Sequence, residues 1–305
     1  MAEEEKMELT PAEEAPAEGT PAETEDGKKK KEKVKKPLGQ EILEWVLTIV
    51  LAVAAAAVIR SLVFEPVRVD GASMNDTLVD GEVMFVSKWD YASTWLCVPW
   101  QSDEAKENAT RITTGAEEPE QFDVVIARYP GRGDTNFVKR LIGMPGDRVK
   151  IEDGYLYIND VKYDEEYVSD AYREGIDFDE VYIPKAGDSA SLELAVGVQN
   201  AVVMTVNGEV WPWAGMSSAL VNENGDRLVW NKENQVILNG EVLDGEGIYE
   251  LVGQEFTVEK DCYFVMGDHR NNSNDSRAQG PITRDMIIGH VRVVMLPFSA
   301  WRSVK

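Results

Sequence analysis

Cysteine and histidine are almost missing from this sequence, which narrows the chemistry open to it. The 305 residues include two cysteines, Cys97 and Cys262, and two histidines, His269 and His290. Two cysteines cannot build a disulfide framework or a four-thiolate metal site, and two histidines leave little for a zinc centre. We therefore predict no metal and no cofactor. One Cys97–Cys262 bridge stays open, because the sequence does not show whether the two thiols approach within bonding distance.

Basic residues are scarce as well. The 31 lysines and arginines stand against 55 acidic residues, which gives a formal net charge of −24 at pH 7. A nucleic-acid-binding surface is normally basic, so this composition argues against a nucleic-acid partner. It favours an acidic, soluble domain, and the 43% of hydrophobic residues is enough for a folded core. Nothing in the composition indicates an oligomeric state.

Long apolar runs are limited to a single segment, residues 42–64. At about 1.5 Å of rise per residue, a helix of that length crosses a hydrocarbon core of about 30 Å. A cleaved signal peptide would have a shorter apolar core with a small-residue cleavage site after it, and a surface helix would have a polar face. The segment matches neither alternative, so we predict one transmembrane helix.

The residues before that segment predict its orientation. Residues 1–27 are rich in Glu, Ala, Pro and Thr and have almost nothing to bury, which is typical of a disordered acidic tail. Seven lysines follow between Lys28 and Lys36. Positive residues flank a membrane helix on its cytoplasmic side. We therefore predict a single-pass protein of the cell membrane whose tail, residues 1–40, is cytoplasmic and whose chain after Phe64 is extracytoplasmic.

Beyond the apolar segment the sequence predicts a mainly β fold with frequent tight turns. Alternating or apolar stretches predict strands at 67–69, 83–86, 123–129, 137–142, 149–151, 155–158, 263–266 and 287–295. The preferred hairpin dipeptides are Asp153-Gly154, Asn207-Gly208 and Asn239-Gly240. The string Asn-Gly-Glu-Val occurs twice, inside residues 202–211 and inside residues 236–242, and it indicates recurring hairpin chemistry rather than a duplicated domain.

The density of strand signals divides this β region. Residues 66–158 and 261–297 hold the regular strands and every candidate catalytic group, so we predict that they form one catalytic β domain. Residues 159–260 are acidic and rich in hairpins, and we predict an inserted β-rich cap. Aromatic and apolar residues also cluster after the first strands, where they contact lipid headgroups or form an ordinary hairpin core. The members of this cluster are Trp89, Tyr91, Trp95, Leu96 and Trp100.

Two side chains are candidates for hydrolysing a peptide bond without a metal, a reaction that needs a nucleophile, a base and donors for the oxyanion. Ser73 follows a predicted strand, and the nearby Gly71 permits close approach of the backbone, although a serine in such a place is often only a turn residue. Lys139 lies in a strand that is apolar on both sides. If its side chain points inward, burial lowers its pKa from about 10.4, whereas an edge-strand lysine would reach water instead.

A polar loop, residues 267–277, directly follows another predicted strand. Its many donors and acceptors can hydrogen-bond a neutral lysine, and an ion pair between Asp275 and Arg277 can hold its shape. The alternative is a loop that is merely exposed to solvent. Neither histidine lies in an obvious catalytic setting, so a Ser-His-Asp triad is poorly supported.

Four segments of the chain resemble the successive motifs of bacterial type I signal peptidases. They follow an apolar anchor in the family's order and read Ser-Met-Asn-Asp-Thr-Leu (73–78), Phe-Asp-Val-Val (122–125), Phe-Val-Lys-Arg-Leu-Ile-Gly-Met-Pro-Gly-Asp (137–147) and Gly-Asp-His-Arg through Asp-Ser-Arg (267–277). The resemblance implies a signal-peptidase-like β ectodomain. It also implies a membrane-bound serine endopeptidase that removes N-terminal signal peptides from exported preproteins.

The resemblance assigns roles to individual residues. It implies a Ser/Lys dyad, with Ser73 as nucleophile and Lys139 as general base, and an oxyanion site at the Ser73 amide. Ser273 would orient Lys139, and Asp275 with Arg277 would form the structural ion pair. In the family, substrates carry small side chains, commonly alanine, at the first and third positions before the cut.

Several positions depart from the family's motifs, all of them among the supporting residues. Gly71 lacks the hydroxyl that some relatives carry two residues before the nucleophile. Asp76 stands where proline is usual, and His269 replaces an asparagine. The aromatic residue common before Gly280 is missing, because position 279 is glutamine.

The predicted substrate is an extended peptide that pairs with the strands around 67–70 and 137–138. Met74 and Val138 are the candidates for lining its shallow pockets. Two rival functions stay open. One is a specialised maturation peptidase on the same scaffold with few substrates, and the other is a membrane-tethered binding module without activity.

Overall fold

The structure is a computed structural model that describes residues 37–91, 93–94, 112–113, 117–129, 135–197, 201–231 and 233–304. The predicted N-terminal tail up to residue 36 therefore lies outside the described residues, as do Cys97, Trp95, Leu96 and Trp100. Cys262 is a free thiol buried in a strand, and burial raises its pKa.

The apolar segment forms one long helix. Its residues from Leu38 to Ile59 have a mean hydropathy of 2.5, and none of that window is buried. The helix begins at Leu38, before the predicted start at residue 42, and it ends at Leu62 because Phe64 is already paired in a strand. This is the one described helix that is long and apolar enough to cross a membrane.

The helices and strands of the described residues have the following bounds. The α-helices are α1 (Leu38–Leu62), α2 (Lys88–Tyr91), α3 (Asp170–Arg173), α4 (Gly245–Glu250) and α5 (Ser276–Gln279), and short 3-10 helices occur at Arg270–Asn272, Arg284–Met286 and Phe298–Ala300. The strands are β1 (Phe64–Arg68), β2 (Val83–Ser87), β3 (Ser93–Thr94), β4 (Ile112–Thr113), β5 (Val124–Ala127), β6 (Phe137–Gly143), β7 (Arg148–Glu152), β8 (Tyr155–Ile158), β9 (Val161–Tyr163), β10 (Phe178–Tyr182), β11 (Ser189–Leu194), β12 (Val202–Val206), β13 (Glu209–Val210), β14 (Leu220–Val221), β15 (Arg227–Trp230), β16 (Val236–Leu238), β17 (Glu241–Val242), β18 (Glu255–Val258), β19 (Cys262–Met266), β20 (Ile282–Thr283), β21 (Ile287–Leu296) and β22 (Arg302–Ser303).

The first sheet carries the candidate site. Its strand order is β1-β2-β21-β5-β6-β19-β20, with β22 added on β21, and every pairing is antiparallel. Alternation along β2 buries Met84 and Val86 against one core, together with Met74 and Leu78 from the segment between β1 and β2. This core fixes the loop that contains Ser73.

The second sheet joins the two predicted domains. Its order is β10-β7-β8-β9. The predicted boundary between residues 158 and 159 falls inside this sheet, because β8 pairs with β9 across it. The buried side of the sheet packs on β6 and β19 of the first sheet through residues such as Val149, Leu156 and Phe264. The division into a catalytic domain and an inserted cap stays a prediction.

The third sheet lies wholly within the predicted insertion. Its order is β13-β12-β11-β18-β14-β15-β16-β17. It has a core of its own around Leu192, Leu228 and Phe256. The isolated pairing of β3 with β4 completes the described strands.

Three hairpin turns share one hydrogen-bonding device. The turn asparagine has a positive φ near 50° and accepts a hydrogen bond from the amide that begins an earlier strand. The pairs are Asn159 with Arg148 at 2.9 Å, Asn207 with Ser189 at 3.2 Å and Asn239 with Arg227 at 2.9 Å. The recurring hairpin chemistry predicted at residues 207 and 239 thus extends to a third turn.

Tyr91 is the member of the predicted aromatic cluster whose side chain is described. It is 2% exposed and stacks on His290, with ring centroids 5.0 Å apart. Its hydroxyl donates a hydrogen bond to Asp123, so Tyr91 belongs to the core, and lipid contact is wrong for this residue.

Candidate active site

Ser73 lies in the tight turn that follows β1. The turn is closed by hydrogen bonds from the Leu78 amide to the Met74 carbonyl (2.7 Å) and from the Asn75 amide to the Ala72 carbonyl (3.1 Å). Met74 and Leu78 are buried beneath it, and Ser73 itself is half-buried. The Ser73 amide makes no hydrogen bond to another described residue. It is therefore available to an oxyanion.

The backbone conformation of the turn explains why Gly71 and Asp76 differ from the residues that are usual in the family's motifs. Gly71 has a φ of 98°, a conformation that residues with a side chain rarely adopt. Asp76 has a φ of 78°, and the proline ring holds φ near −65°, so proline does not fit this turn. The turn around Ser73 is thus built with left-handed residues at both ends.

The Lys139 side chain extends to Ser73 from β6 of the first sheet. It lies in β6 opposite Val125 of β5, and it is 2% exposed because the strand is covered on both faces. Its Nζ is 2.9 Å from the Ser73 Oγ and 2.8 Å from the Val138 carbonyl oxygen. The structure therefore brings together the two predicted catalytic residues at hydrogen-bond distance.

Burial changes the chemistry of the lysine. Desolvation is the main cause that lowers the pKa of Lys139 to about 8, because the charged ammonium loses water. The carboxylates of Asp275 and Asp268 act in the opposite direction, and Arg277 adds to the lowering. A substantial fraction of free amine near neutral pH is the property that a general base needs.

We expect peptide cleavage to increase with pH through the Lys139 titration. If the predicted base is Lys139, only its free amine accepts a proton, so kcat/KM should reach half of its maximum near pH 8. Well below that pH it should fall by about tenfold per pH unit. A pH profile of kcat/KM measured with a fluorogenic peptide checks this. A flat profile or an acidic optimum would contradict a lysine base.

The polar loop after β19 packs against the backbone of Ser73. The His269 amide donates to the Ser73 carbonyl (3.1 Å), and the His269 Nδ1 is 2.9 Å from the Ala72 carbonyl oxygen. Gly267 fits between Ser73 and Ser273, since a Cβ there would lie 2.4 Å from the Ser73 carbonyl oxygen and 2.3 Å from the Ser273 Oγ. Only glycine allows this close approach.

The predicted ion pair of this loop is present. The Arg277 guanidinium donates to both carboxylate oxygens of Asp275, at 2.9 and 2.8 Å. Burial by itself would raise the pKa of Asp275, but the hydrogen bonds from Arg277 and from the Gly267 amide outweigh it, and the pKa is lowered. The Ser273 hydroxyl is buried beside Gly267, and its interaction with Asp275 also lowers the pKa of that carboxyl. Its predicted bond to Lys139 stays a prediction.

A second buried ion pair supports the turn, and the sequence reasoning missed it. Arg140 donates to Asp268 at 3.0 and 2.8 Å, and both side chains are at most 1% exposed. The Thr77 hydroxyl donates to the same carboxylate (2.5 Å). The sequence signal was the position of Arg140 in an otherwise apolar strand, which requires a buried partner.

The predicted insertion also contributes to the site loop. Glu165 is buried and pairs with Arg270 at 2.9 Å and at a second, shorter contact. The Tyr167 hydroxyl donates to Glu165 (2.8 Å), and the Tyr167 ring lies 3.7 Å from the Arg140 guanidinium carbon. No local pattern marked Glu165, because one acidic residue in an acidic segment carries no signal.

A narrow cleft leads to Ser73 and Lys139. Its walls are residues 67–71 on one side and 136–139 on the other, and Met74 and Val138 also line it. Met74 is mostly buried beneath the cleft, whereas Val138 is half-exposed. Within the described ranges, no group of three or more metal-ligating side chains could hold a metal ion.

Comparisons with known proteins found several similarities. A family model described as signal peptidase, peptidase S26, matches residues 42–296. The chain is 30% identical to signal peptidase I P of Bacillus subtilis subsp. natto, over 90% of this chain and 99% of that protein. It is 29% identical to signal peptidase I T of Bacillus subtilis strain 168, over 92% of this chain and all of that protein. A crystal structure of a signal peptidase I from Enterococcus faecalis matches with 22% identity and a TM-score of 0.28, covering 57% of this chain and 97% of that one.

Proposed function

The chain belongs to the signal peptidase family, peptidase S26, and is a membrane-anchored serine endopeptidase that removes signal peptides. We propose that Ser73 is the nucleophile of this reaction and that Lys139 is its general base. One observation carries this proposal: the Lys139 Nζ is 2.9 Å from the Ser73 Oγ, and the lysine is almost fully buried.

The proposed reaction passes through an acyl-enzyme. The Ser73 Oγ attacks the carbonyl carbon of the peptide bond, and its proton moves to the Lys139 Nζ. The tetrahedral oxyanion is stabilised by the free amide of Ser73. When the C–N bond breaks, Lys139 gives the proton to the leaving amine. Water then attacks the ester while Lys139 takes its proton, and the proton finally returns to Ser73.

We propose that the loop after β19 holds the Ser73 hydroxyl and the Lys139 amine at hydrogen-bond distance. Asp275, held by Arg277, orients the Gly267 amide, and Gly267 contacts both the Ser73 carbonyl and the Ser273 side chain. We assign to Ser273 the role of orienting the Lys139 amine once substrate is bound. The position of its buried hydroxyl supports that role, since Ser273 and Ser73 both pack against Gly267.

The substrate is proposed to bind as an extended strand in the cleft. Among the described strands, β1 pairs only with β2, and Pro66 in β1 suits an edge. On the other wall, β19 pairs with β6 only from Arg140 to Gly143, which leaves the edge of β6 at 137–139 unpaired within the described part of the chain. A peptide between the two edges would place its side chains towards Met74 and Val138.

The orientation of the anchor is part of the proposal. The lysines between Lys28 and Lys36 precede α1, which favours a cytoplasmic N-terminus and an extracytoplasmic active site in the cell membrane. The apolar helix is proposed to contact the lipid bilayer, and exported preproteins are the proposed substrates.

The deciding experiment uses the full chain in detergent and a model preprotein with alanine at the first and third positions before the cut. We expect one new N-terminus directly after the signal peptide, and no cleavage by Ser73→Ala. Cleavage of several unrelated preproteins would identify a general enzyme, and cleavage of one would identify a specialised maturation peptidase. Equal cleavage by Ser73→Ala would contradict the proposed nucleophile.

A further inference from the structure

One aromatic side chain links the third sheet to the rest of the molecule. Trp213 lies in the loop between β13 and β14. Its ring packs against the core of the third sheet and also against the core shared by the first two sheets, with its centroid 6.2 Å from that of Phe264. Of the side chains in the described ranges, Trp213 alone packs against both cores.

The polar edge of the same ring contacts the loop of the active site. The Trp213 Nε1 donates a hydrogen bond to the Arg277 carbonyl (3.0 Å). Arg277 lies in α5, a one-turn helix whose last carbonyls have no partner inside the helix. The ring also covers Gly280, the residue that ends α5. A Cβ added to Gly280 would lie 3.4 Å from the Trp213 ring. A second contact nearby runs from the Ser217 hydroxyl to the Pro281 carbonyl (2.7 Å).

From α5 the contacts lead to the proposed dyad in three steps. The Arg277 side chain binds Asp275 with two hydrogen bonds, and it donates a third to the Arg270 carbonyl (2.7 Å). Asp275 accepts a hydrogen bond from the Gly267 amide (3.0 Å). Gly267 in turn packs directly on the Ser73 carbonyl. A shift of α5 would therefore move groups that touch the nucleophile's backbone.

We propose that Trp213 is a positioning residue for Ser73 and Lys139, acting through Arg277 and Asp275, and that the insertion is for this reason part of the catalytic apparatus. This inference rests on the proposed function. The family's aromatic residue before Gly280 is absent here, since position 279 is glutamine. Trp213 places an aromatic ring over that glycine from a different part of the chain.

Loss of Trp213 should have an electrostatic signature. Asp275 raises the pKa of Lys139 and Arg277 lowers it. If Arg277 loses its fixed place, the Asp275 carboxylate is less neutralised, and the pKa of Lys139 rises. The rate should then fall at neutral pH and recover at higher pH. KM should not change, because Trp213 does not line the cleft.

The test compares Trp213→Ala and Trp213→Phe with Trp230→Phe in the full chain in detergent. Trp230 is a matched control that packs on the same core of the third sheet, and its Nε1 donates to the Asn234 Oδ1 (2.8 Å) rather than to α5. For Trp213→Ala we expect the half-maximal pH to rise by about half a unit, which makes kcat about threefold lower at pH 7 with KM unchanged. Trp213→Phe should retain more activity, since it keeps an aromatic ring, and Trp230→Phe should match the parent.

A second readout separates this inference from the proposed function. The pKa of Lys139 can be followed by NMR of protein with ¹³C-labelled lysine, with Lys139→Met used for assignment. A higher Lys139 pKa in Trp213→Phe or Trp213→Ala supports the inference even if the chosen preprotein is not cleaved. An unchanged pKa and pH profile in a folded Trp213 variant overturns it. So does an equal loss of kcat in Trp230→Phe. If Trp213→Ala does not fold, Trp213→Phe decides.

Discussion

Lys139→Met should lower the rate of peptide cleavage by about 10³-fold or more and leave the fold intact. Methionine fills a similar volume, so the packing around this almost fully buried position is kept while the proton acceptor is lost. Lys139→Arg should be equally inactive, because a guanidinium stays protonated. Initial rates measured by chromatography of a signal-peptide substrate, with circular dichroism of each variant, check both parts of this expectation.

The matched control is Lys150→Met. Lys150 is a half-buried lysine on β7 of the second sheet, and its Nζ lies 3.5 Å from Asp160 rather than at the proposed dyad. This variant should cleave at the parent rate, since exposed ion pairs contribute about 0–1 kcal/mol and no catalytic group changes. Retained cleavage in a folded Lys139→Met variant would exclude Lys139 as the base.

Asp268→Ala should reduce the free energy of unfolding by about 3–5 kcal/mol and abolish most activity. The substitution leaves the buried Arg140 guanidinium without its carboxylate, and the Thr77 hydroxyl loses its acceptor. Thr77 belongs to the turn that holds Ser73, so the substitution should displace the proposed nucleophile as well as lower the free energy of unfolding. Urea unfolding followed by tryptophan fluorescence gives the first quantity, and the cleavage assay gives the second.

Two variants test the cause of that loss. The double variant Arg140→Met with Asp268→Leu removes both charges and should recover much of the stability, because an unpaired buried charge costs more than an apolar pair. Lys260→Ala removes a charge from an exposed pair with Asp285 (3.5 Å), and it should change stability by about 1 kcal/mol or less. Equal destabilisation by Asp268→Ala and Lys260→Ala would contradict a buried ion pair.

Local chemistry predicted most of the elements. The alternation at 83–86 and the Asp-Gly pair at 153–154 predicted β2 and the β7–β8 hairpin, since a strand period of two and a turn with positive φ are properties of a few adjacent residues. The anchor was predicted for the same reason, although its bounds shifted by a few residues. The fate of Tyr91 was not predictable, because an aromatic residue shows the same pattern whether protein or lipid covers it.

Some residues of the candidate site were likewise predicted from the sequence, and others were missed. Ser73 and Lys139 were predicted from the family's motifs, and the Asp275–Arg277 pair from the polar loop that contains both residues. Arg140 was not among the predicted site residues, and its pairing with Asp268, 128 residues later, was not foreseen. Glu165 and Trp213 were missed entirely. Both belong to the acidic segment 159–260, where nothing local marks a residue that reaches another sheet.

By itself the sequence determined an apolar anchor and a mainly β chain, because these depend on residue type and on short spacings, and its resemblance to a known family supplied the proposed nucleophile and base. Only the tertiary structure decided that Lys139 loses its water and that its amine meets a hydroxyl 66 residues away. It also decided that the insertion contacts the catalytic loop through Trp213. The physical reason is that desolvation and hydrogen bonding depend on what covers a side chain, and the covering residues come from distant strands whose pairing no local pattern specifies.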